Sequence, residues 1–444
     1  MKQSGRNSTP APASRAPARR VMILCSTTGY QTHAYAEAAS QMGLEVAFGS
    51  DRCHVLDDPW RDGALALHFE HPDASARQVV EYARAHRLDA LIPLGDRVVP
   101  TAARAAQSLG LLSHPPEAAD VCRHKFRSRN RLREFGLNVP WFARFTVDAS
   151  AQAIVEQARP PFPCVLKPLA LSASRGVIRA ENPADFVASF ERLGALLRSP
   201  DVQVMREETS RYIQVEGYID GREIAVEGFV DRGDVTILAI FDKPDPLEGP
   251  YFEETIYVTP SRLPEPAQQE IEDVVRQTAA ALGLFHGPFH AELRLNGRGV
   301  WPLEMAARSI GGLCAKALRF SSPALGNDAS LEQLAIGLAL GEDIRPVCRE
   351  ESAAGVMMIP VEHGGIYQGV DGLDEARAVR GIEEIAVTAR PSQRLVPFPE
   401  GCSYPGFIFA RGPSPESVEA SLRSAHQKLS FKITSGLPVL ARRG

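Results

Sequence analysis

Glu292 and Glu304 flank a turn in the stretch His290-Ala-Glu-Leu-Arg-Leu-Asn-Gly-Arg-Gly-Val-Trp-Pro-Leu-Glu304. Two carboxylates on one hairpin are the raw material of a hard metal site. Asn296-Gly297 and Gly299 tolerate positive φ, so the chain can reverse there and pair the apolar-alternating runs on either side. With the loop centred on Arg298, Glu292 stands opposite Glu304. Both then project from one sheet face, with Cβ atoms ~5 Å apart. Unpaired, those charges repel. A divalent cation relieves the repulsion, and Mg²⁺ typically takes one or two protein carboxylates while phosphates and water complete its shell. The pair therefore predicts a phosphate-bearing ligand. Taken alone, the commoner reading is an exposed hairpin with two solvated acids, because surface Glu is common.

The cations point the same way. Lysine is scarce: Lys2, Lys125, Lys167, Lys243, Lys316, Lys428 and Lys432 stand against an arginine majority among 49 basic residues. Where arginine is freely used, a lysine in a special context is one that needs a compact ammonium. Lys125, Lys167 and Lys243 have such contexts, whereas Lys2, Lys428 and Lys432 read as solvated surface. Lys167 follows the β-forming run Cys164-Val-Leu and precedes Pro168, so it emerges at the end of a buried strand. The loop Leu171-Ser-Ala-Ser-Arg-Gly-Val177 comes next, and its Ser172, Ser174 and Gly176 let backbone N–H groups approach phosphate oxygens. It is not a Walker A loop, and no Gly-x-Gly-x-x-Gly fingerprint occurs, which disfavours a nicotinamide cofactor. Lys243, in a Pro-rich turn, reads equally as surface or as a substrate contact. Arg308 could pair with Glu304 four residues earlier, but Gly311-Gly312 opens the backbone after it and favours a phosphate. His286, His290 and Glu292 raise a zinc-hydrolase alternative; Gly287-Pro288 between the histidines keeps them off one helix face, and His290 keeps a possible substrate role beside Glu292. His68, His71 and His114 read as surface or turn residues.

The chain must position these groups with 444 residues, 44% of them hydrophobic, enough for two or three domains. A net charge of -5 with no basic block past the N-terminal tail disfavours nucleic acid. No apolar run approaches a bilayer span and no secretory signal opens the chain, so a cytoplasmic location away from membranes is expected. The cysteines at 25, 53, 122, 164, 314, 348 and 402 show no Cys-x-x-Cys and read as reduced buried thiols. Residues 1–20 cannot bury a core and should be disordered. From Val21 short strands (Val21 to Leu24, Glu45 to Phe48, Ala90 to Leu94) alternate with helices (Ala34 to Met42, Ala76 to His86), an α/β pattern with a parallel sheet. Its tip at Ser26 to Gly29 could hold an anion. A helix is expected over Glu117 to Phe135, ending at Gly136. An α+β region follows, with strands Tyr212 to Tyr218, Glu223 to Val230 and Val235 to Phe241, the hairpin, and a helix at Leu331 to Leu340. From Ala353 short strands and turns lead to a helix at Pro415 to Leu429.

In order, Lys125, Lys167, the small-residue loop, Glu216-Gly-Tyr-Ile219, Gly221-Arg-Glu223, Glu292, Glu304 and Arg308 resemble the ATP-grasp superfamily over roughly residues 21 to 444. The resemblance implies an ATP-grasp fold with an N-terminal Rossmann-like, pre-ATP-grasp domain (21–116), a nucleotide-binding and catalytic region (117–350) and a C-terminal α+β domain (351–444). It implies that Lys125 and Lys167 hold the ATP phosphates, with Ser172 and Ser174 in the loop beside them. Glu216, Tyr218 and Ile219 would line the hinge that contacts adenine, and Glu223 would bind the ribose. Glu292 and Glu304 would hold Mg²⁺, or Mn²⁺, and Arg308 the transferred phosphate. The family's usual Glu-x-Asn-x-Arg has Ala306 at the Asn position here, which implies weaker metal binding.

Gly355-Val-Met-Met-Ile-Pro, Tyr404-Pro-Gly-Phe-Ile-Phe-Ala410 and Phe241-Asp-Lys-Pro-Asp-Pro are similar to the L-amino-acid ligases, carboxylate-amine ligases that make dipeptides or related amides. That resemblance implies an amide formed through an acyl phosphate, small-molecule carboxylate and amine substrates, and a homodimer. Other ATP-grasp reactions, carboxylation or carboxylate-thiol ligation, and a non-catalytic nucleotide sensor are the alternatives.

Overall fold

The computed structural model describes residues 19–26, 30–51 and 64–434. Most of the expected disordered tail over residues 1–20, much of the tip Ser26 to Gly29, and Cys53 lie outside these residues. Among the described residues no helix is long and apolar enough to cross a membrane.

The first layer is a parallel sheet in the order Ala64–Ala66, Glu45–Ser50, Arg20–Cys25, Ala90–Leu94. Its central strands, Arg20–Cys25 and Ala90–Leu94, are apolar runs buried on both faces, as a parallel sheet requires. One face is covered by Pro72–Ala85 and Val99–Leu109; the other meets Thr32–Gln41 and a helix from far along the chain, Leu331–Ala339, through Ala335 and Ile336. That distant helix starts at a capping box in which Ser330 and Gln333 satisfy each other's backbone N–H.

The second unit is a small antiparallel sheet, in the order Phe142–Thr146, Tyr212–Gly217, Cys164–Pro168, Ile178–Ala180. Its core joins Leu166, Val215 and Ile213 to Phe186, Phe190 and Leu193 of the helix Pro183–Leu197.

The third is an eight-stranded sheet in the order Gly299–Ala306, Gly287–Asn296, Arg222–Asp231, Asp234–Asp242, Ile256–Thr259, Ala353–Met358, Gly406–Gly412, Ile382–Val387. The C-terminal strands thus extend this sheet directly. Alternation decides its two faces. Ile224, Val226, Ala291, Leu293 and Val300 point back into a core closed by Glu265–Leu282, whose Ile271, Val275, Ala279 and Leu282 recur at helical spacing. Phe289 is fully buried in that core, and its truncation to Ala would cost ~3–5 kcal/mol. The opposite face carries the charged groups.

Two expectations are corrected. The helix expected over Glu117 to Phe135 is two helices, Pro116–Arg123 and Lys125–Glu134. His124 between them is extended, and its Nδ1 accepts from the Arg127 backbone N–H, so it caps the second helix and places Lys125 in that helix's first turn. The hairpin loop is not centred on Arg298. Its last pair is Asn296 with Gly299, leaving the two-residue turn Gly297-Arg298, and a bulge between Glu292 and Leu293 shifts the register. Leu303 is the extra residue. The shift returns Glu292 to a position opposite Glu304, the predicted pair by a different route.

Candidate active site

Glu223, Glu227, His290, Glu292 and Arg294 share the charged face, because Glu227 pairs in register with His290 and Glu223 with Arg294. Lys243 follows the neighbouring strand Asp234–Asp242 and reaches into the group. It is neither surface nor turn, its side chain being 3% exposed. Its Nζ lies 2.9 Å from Glu223, 2.5 Å from Glu254 and 3.5 Å from Glu292. The carboxylate oxygens of Glu223, Glu254 and Glu292 lie within 4.8 Å of one another. Burial alone would disfavour an ammonium, yet these three carboxylates raise the Lys243 pKa well above its usual value. Glu292 is held well below the usual carboxylate range: burial opposes ionisation, and Lys243 and His290 outweigh it. Burial drives Glu254 the other way, upward, against the pull of Lys243. Tyr257 donates to Glu254 at 2.7 Å. His290 bonds Glu227 at 2.7 Å and reaches Glu292 at 3.5 Å; burial is overcome by these partners and its pKa rises to about 9.

The acid cluster that the fold assembles is therefore not the hairpin pair by itself. Glu292 joins Glu223 and Glu254 around Lys243, while Glu304 faces Glu292 across the hairpin. Both Glu223 oxygens are engaged, one by Lys243 and the other by Arg294 at 2.9 Å.

Arg308 leaves the hairpin and pairs through both Nε and Nη2, each at 2.7 Å, with the two oxygens of Asp96, 212 residues away. Asp96 follows Gly95 at the carboxyl end of the parallel strand Ala90–Leu94, where open α/β sheets place ligand-binding groups. Against the cost of burial, Arg308 lowers the Asp96 pKa. The next residues are also gripped from the N-terminal unit: Tyr35 meets the Ser309 hydroxyl at 3.1 Å, and Gln31 donates to the Ile310 carbonyl. Gly311 faces open space, whereas Gly312, at φ +62°, lies against Phe407.

On the small sheet, Lys167 sits 2.7 Å from Glu216, and Arg129 holds the same carboxylate with Nε at 2.7 Å and Nη2 at 3.1 Å. Burial opposes ionisation of Glu216, but Arg129 and Lys167 hold it far below the usual range. Lys125 donates to the Leu171 carbonyl at 2.7 Å, tying its helix to the small-residue loop. There Ala173 and Ser174 both adopt positive φ; Ser172 is exposed and Ser174 half-buried. At the hinge, the Tyr218 amide donates to Pro163 at 3.0 Å, Arg294 donates to the Ile219 carbonyl at 2.6 Å, and Arg179 stacks 3.9 Å from the Tyr218 ring. Gly221, at φ +103°, carries the hinge into the next strand, and a Cβ there would meet the Leu295 carbonyl at 2.3 Å.

The histidines divide. His286 Nε2 bonds the Leu338 carbonyl at 2.8 Å and its Nδ1 lies 3.2 Å from Asp231, a structural role. His114, expected at the surface, is buried between Phe285 and Pro288, and burial pushes its pKa down to about 4. Cys25, Cys122, Cys164 and Cys314 are buried as expected, but Cys348 and Cys402 are exposed.

Sequence reasoning missed Asp96, Arg129, Glu227, Glu254 and Arg294. Asp96 carried a usable signal, its place after a predicted parallel strand. Arg129 was hidden in a helix whose many cations look like solvated surface.

Comparison with known proteins agrees with this architecture. The ATP-grasp domain family matches residues 160–317, the ATP-grasp N-terminal domain family 36–112, and L-amino acid ligase C-terminal domain 2 matches 357–434. The crystal structure of an L-amino acid ligase from Bacillus licheniformis aligns with a TM-score of 0.79 at 27% identity, over 94% of this chain and 99% of that one. An uncharacterized protein of Sinorhizobium fredii, y4rH, is 25% identical over 420 residues, 94% of this chain and 84% of its own length. An alanine–anticapsin ligase of Bacillus subtilis is 27% identical over 271 residues, 55% of this chain. The match spans 56% of that enzyme's length, little more than half. The chain belongs to the ATP-grasp superfamily of ATP-dependent ligases. Within it, the C-terminal unit is of the L-amino acid ligase kind.

Proposed function

We propose that the protein is an ATP-dependent carboxylate-amine ligase that joins amino-acid substrates into a dipeptide-like amide. A substrate carboxylate oxygen attacks the γ-phosphorus and the bond to the β-phosphate oxygen breaks, giving ADP and an acyl phosphate. The amine nitrogen then attacks the acyl carbon, the bond to the phosphate oxygen breaks, and the nitrogen releases a proton. The observation that carries the reading is the convergence on one sheet face of Glu223, Glu254, Glu292 and Lys243, beside Glu304 and an Arg308 fixed by Asp96. With a divalent cation on its carboxylates, that face would stabilise phosphate charge without an enzyme nucleophile. The nearby thiols fit this picture, since burial pushes Cys122 and Cys314 upward, away from thiolate.

In this reading Lys125 and Lys167 meet the phosphates, Ser172 and Ser174 close the loop over them, Glu216 to Ile219 line adenine, and Glu223 serves the ribose while keeping Arg294. Arg308 binds the transferred phosphate, and Lys243, His290, Gly311 and Gly312 border the acceptor. The donors fit Mg²⁺ or Mn²⁺, since Glu292 and Glu304 offer only carboxylate oxygen, as hard cations prefer. When bound, the cation neutralises phosphate charge. Arg308 and the lysines add fixed charge at the transferred group, and the loop excludes water that would hydrolyse the acyl phosphate. In the cytoplasm, ATP and free amino acids are both at hand. Oxygen-18 in the substrate carboxylate tests the intermediate: the label is expected in the released phosphate, and its retention in the amide product alone would exclude an acyl phosphate.

A further inference from the structure

Glu227 has no place in the roles above, and it forms a buried pair with His290, which borders the acceptor. They are directly opposed on adjacent strands and are 0% and 8% exposed. His290 Nδ1 lies 2.7 Å from Glu227 Oε1, which fixes both the plane of the ring and its tautomer. Its other nitrogen, Nε2, points along the same face to Glu292 Oε1 at 3.5 Å. Lys243 Nζ approaches that same oxygen, also at 3.5 Å. One oxygen of Glu292 is thus approached by two nitrogens, from His290 and from Lys243, which come from different segments of the chain. The hairpin residue opposite His290 is Ala306, which offers no polar atom to turn the ring elsewhere. Glu227 Oε2 is buried without a hydrogen-bond partner among the described residues. A buried oxygen left without a partner is costly, and the contact of Oε1 with His290 does not relieve it.

We infer that Glu227 and His290 are positioning residues: Glu227 fixes His290, and His290 with Lys243 holds Oε1 of Glu292 so that Glu292 presents only its other oxygen to a divalent cation. This rests on the reading of Glu292 as a metal ligand. Supporting groups of this kind set ligand orientation, and their loss costs roughly ten- to a hundredfold in metal affinity.

The test uses full-length protein, Mn²⁺ as the probe and ATP present, with binding and line shape read by electron paramagnetic resonance. Glu227→Gln and His290→Gln are each expected to weaken Mn²⁺ by roughly ten- to a hundredfold and to alter the bound spectrum, while ATP affinity without metal stays unchanged. The double variant should be no weaker than His290→Gln alone, because Glu227 acts through His290. His290→Asn replaces the glutamine if that variant does not fold. Unchanged Mn²⁺ affinity in the single variants, with Glu292→Gln clearly weakened, overturns this inference and leaves the metal reading standing. Unchanged affinity in Glu292→Gln overturns the metal reading and the inference with it. Additive losses in the double variant overturn the relay through His290.

Discussion

In the proposed reading the charged face of the large sheet and the small-residue loop meet around one nucleotide, and the structure holds them by different means. On the sheet, Glu223, Glu227, His290 and Glu292 are placed by backbone register, pair against pair; Lys243 compensates Glu223 and Glu292, and Glu227 pairs with His290. The loop is fastened by distant parts of the chain. The Gly176 amide donates to the Pro399 carbonyl at 2.8 Å, and Arg175 donates to the Glu400 carbonyl at 2.7 Å. Arg192 grips the Glu400 carboxylate at 2.6 and 2.9 Å. A backbone N–H that suits phosphate is here engaged by the C-terminal unit. The sheet face is preorganised, whereas the loop is closed by exchangeable surface contacts, which is what a binding site needs if ligand must come and go.

The sharpest break in this comparison comes from the hairpin. Glu304→Gln removes a carboxylate charge at no change in shape and should abolish ADP formation, by roughly a thousandfold or more if the metal's charge stabilisation is lost; retained turnover would remove Glu304 from the metal's shell. Next is Glu216→Gln, which leaves Arg129 and Lys167 without their buried counterion and should cost ~3–5 kcal/mol of stability in urea unfolding at neutral pH. Because Glu216 has its folded pKa lowered, its contribution is present above the usual carboxylate value of 4.5 and fades as pH falls toward the folded pKa. The gap between wild type and variant should therefore shrink in acid, and a gap constant with pH would contradict the ionised pair. Asp96→Asn should lower kcat/KM by roughly tenfold or more, the worth of a charged hydrogen-bond pair. An unaltered rate would show that Arg308 is held without the N-terminal unit. The smallest effect belongs to the loop. Glu400→Gln weakens a pair whose side chains are 44% and 37% exposed, so stability should move by only ~0.2–1 kcal/mol, while stopped-flow nucleotide release quickens severalfold. Release at the wild-type rate would mean that the Glu400 contacts do not hold the loop.

Legibility in the sequence follows the same division. The hairpin and its face are local: turn residues, alternation and two acids suffice to oppose Glu292 and Glu304. Even there the bulge at Leu303 was missed: Pro302 marks either a sheet edge or a bulge, and Gly299–Ala306 is an edge strand, so the proline alone did not single out the extra residue. The strands and most helices announce themselves by apolar period, but the break at His124 does not, since a histidine cap looks like one more polar residue in a basic helix. The contacts that fix the site's charges are long-range. Asp96 with Arg308 and Arg129 with Glu216 join segments 212 and 87 residues apart. Lys243 read equally as turn or substrate contact because its burial depends on three acids from three separate segments. Family resemblance supplied the order of the parts, and tertiary structure supplied their partners.

The most direct test of the central claim is magnesium-dependent phosphate release from ATP with amino acids offered singly and in pairs, and product masses read alongside. Release that requires a carboxylate and an amine together, with the mass of the condensed amide, is the expected result. Release with a single carboxylate-free partner, release with bicarbonate, or no release with any pair despite ATP binding would contradict a carboxylate-amine ligase.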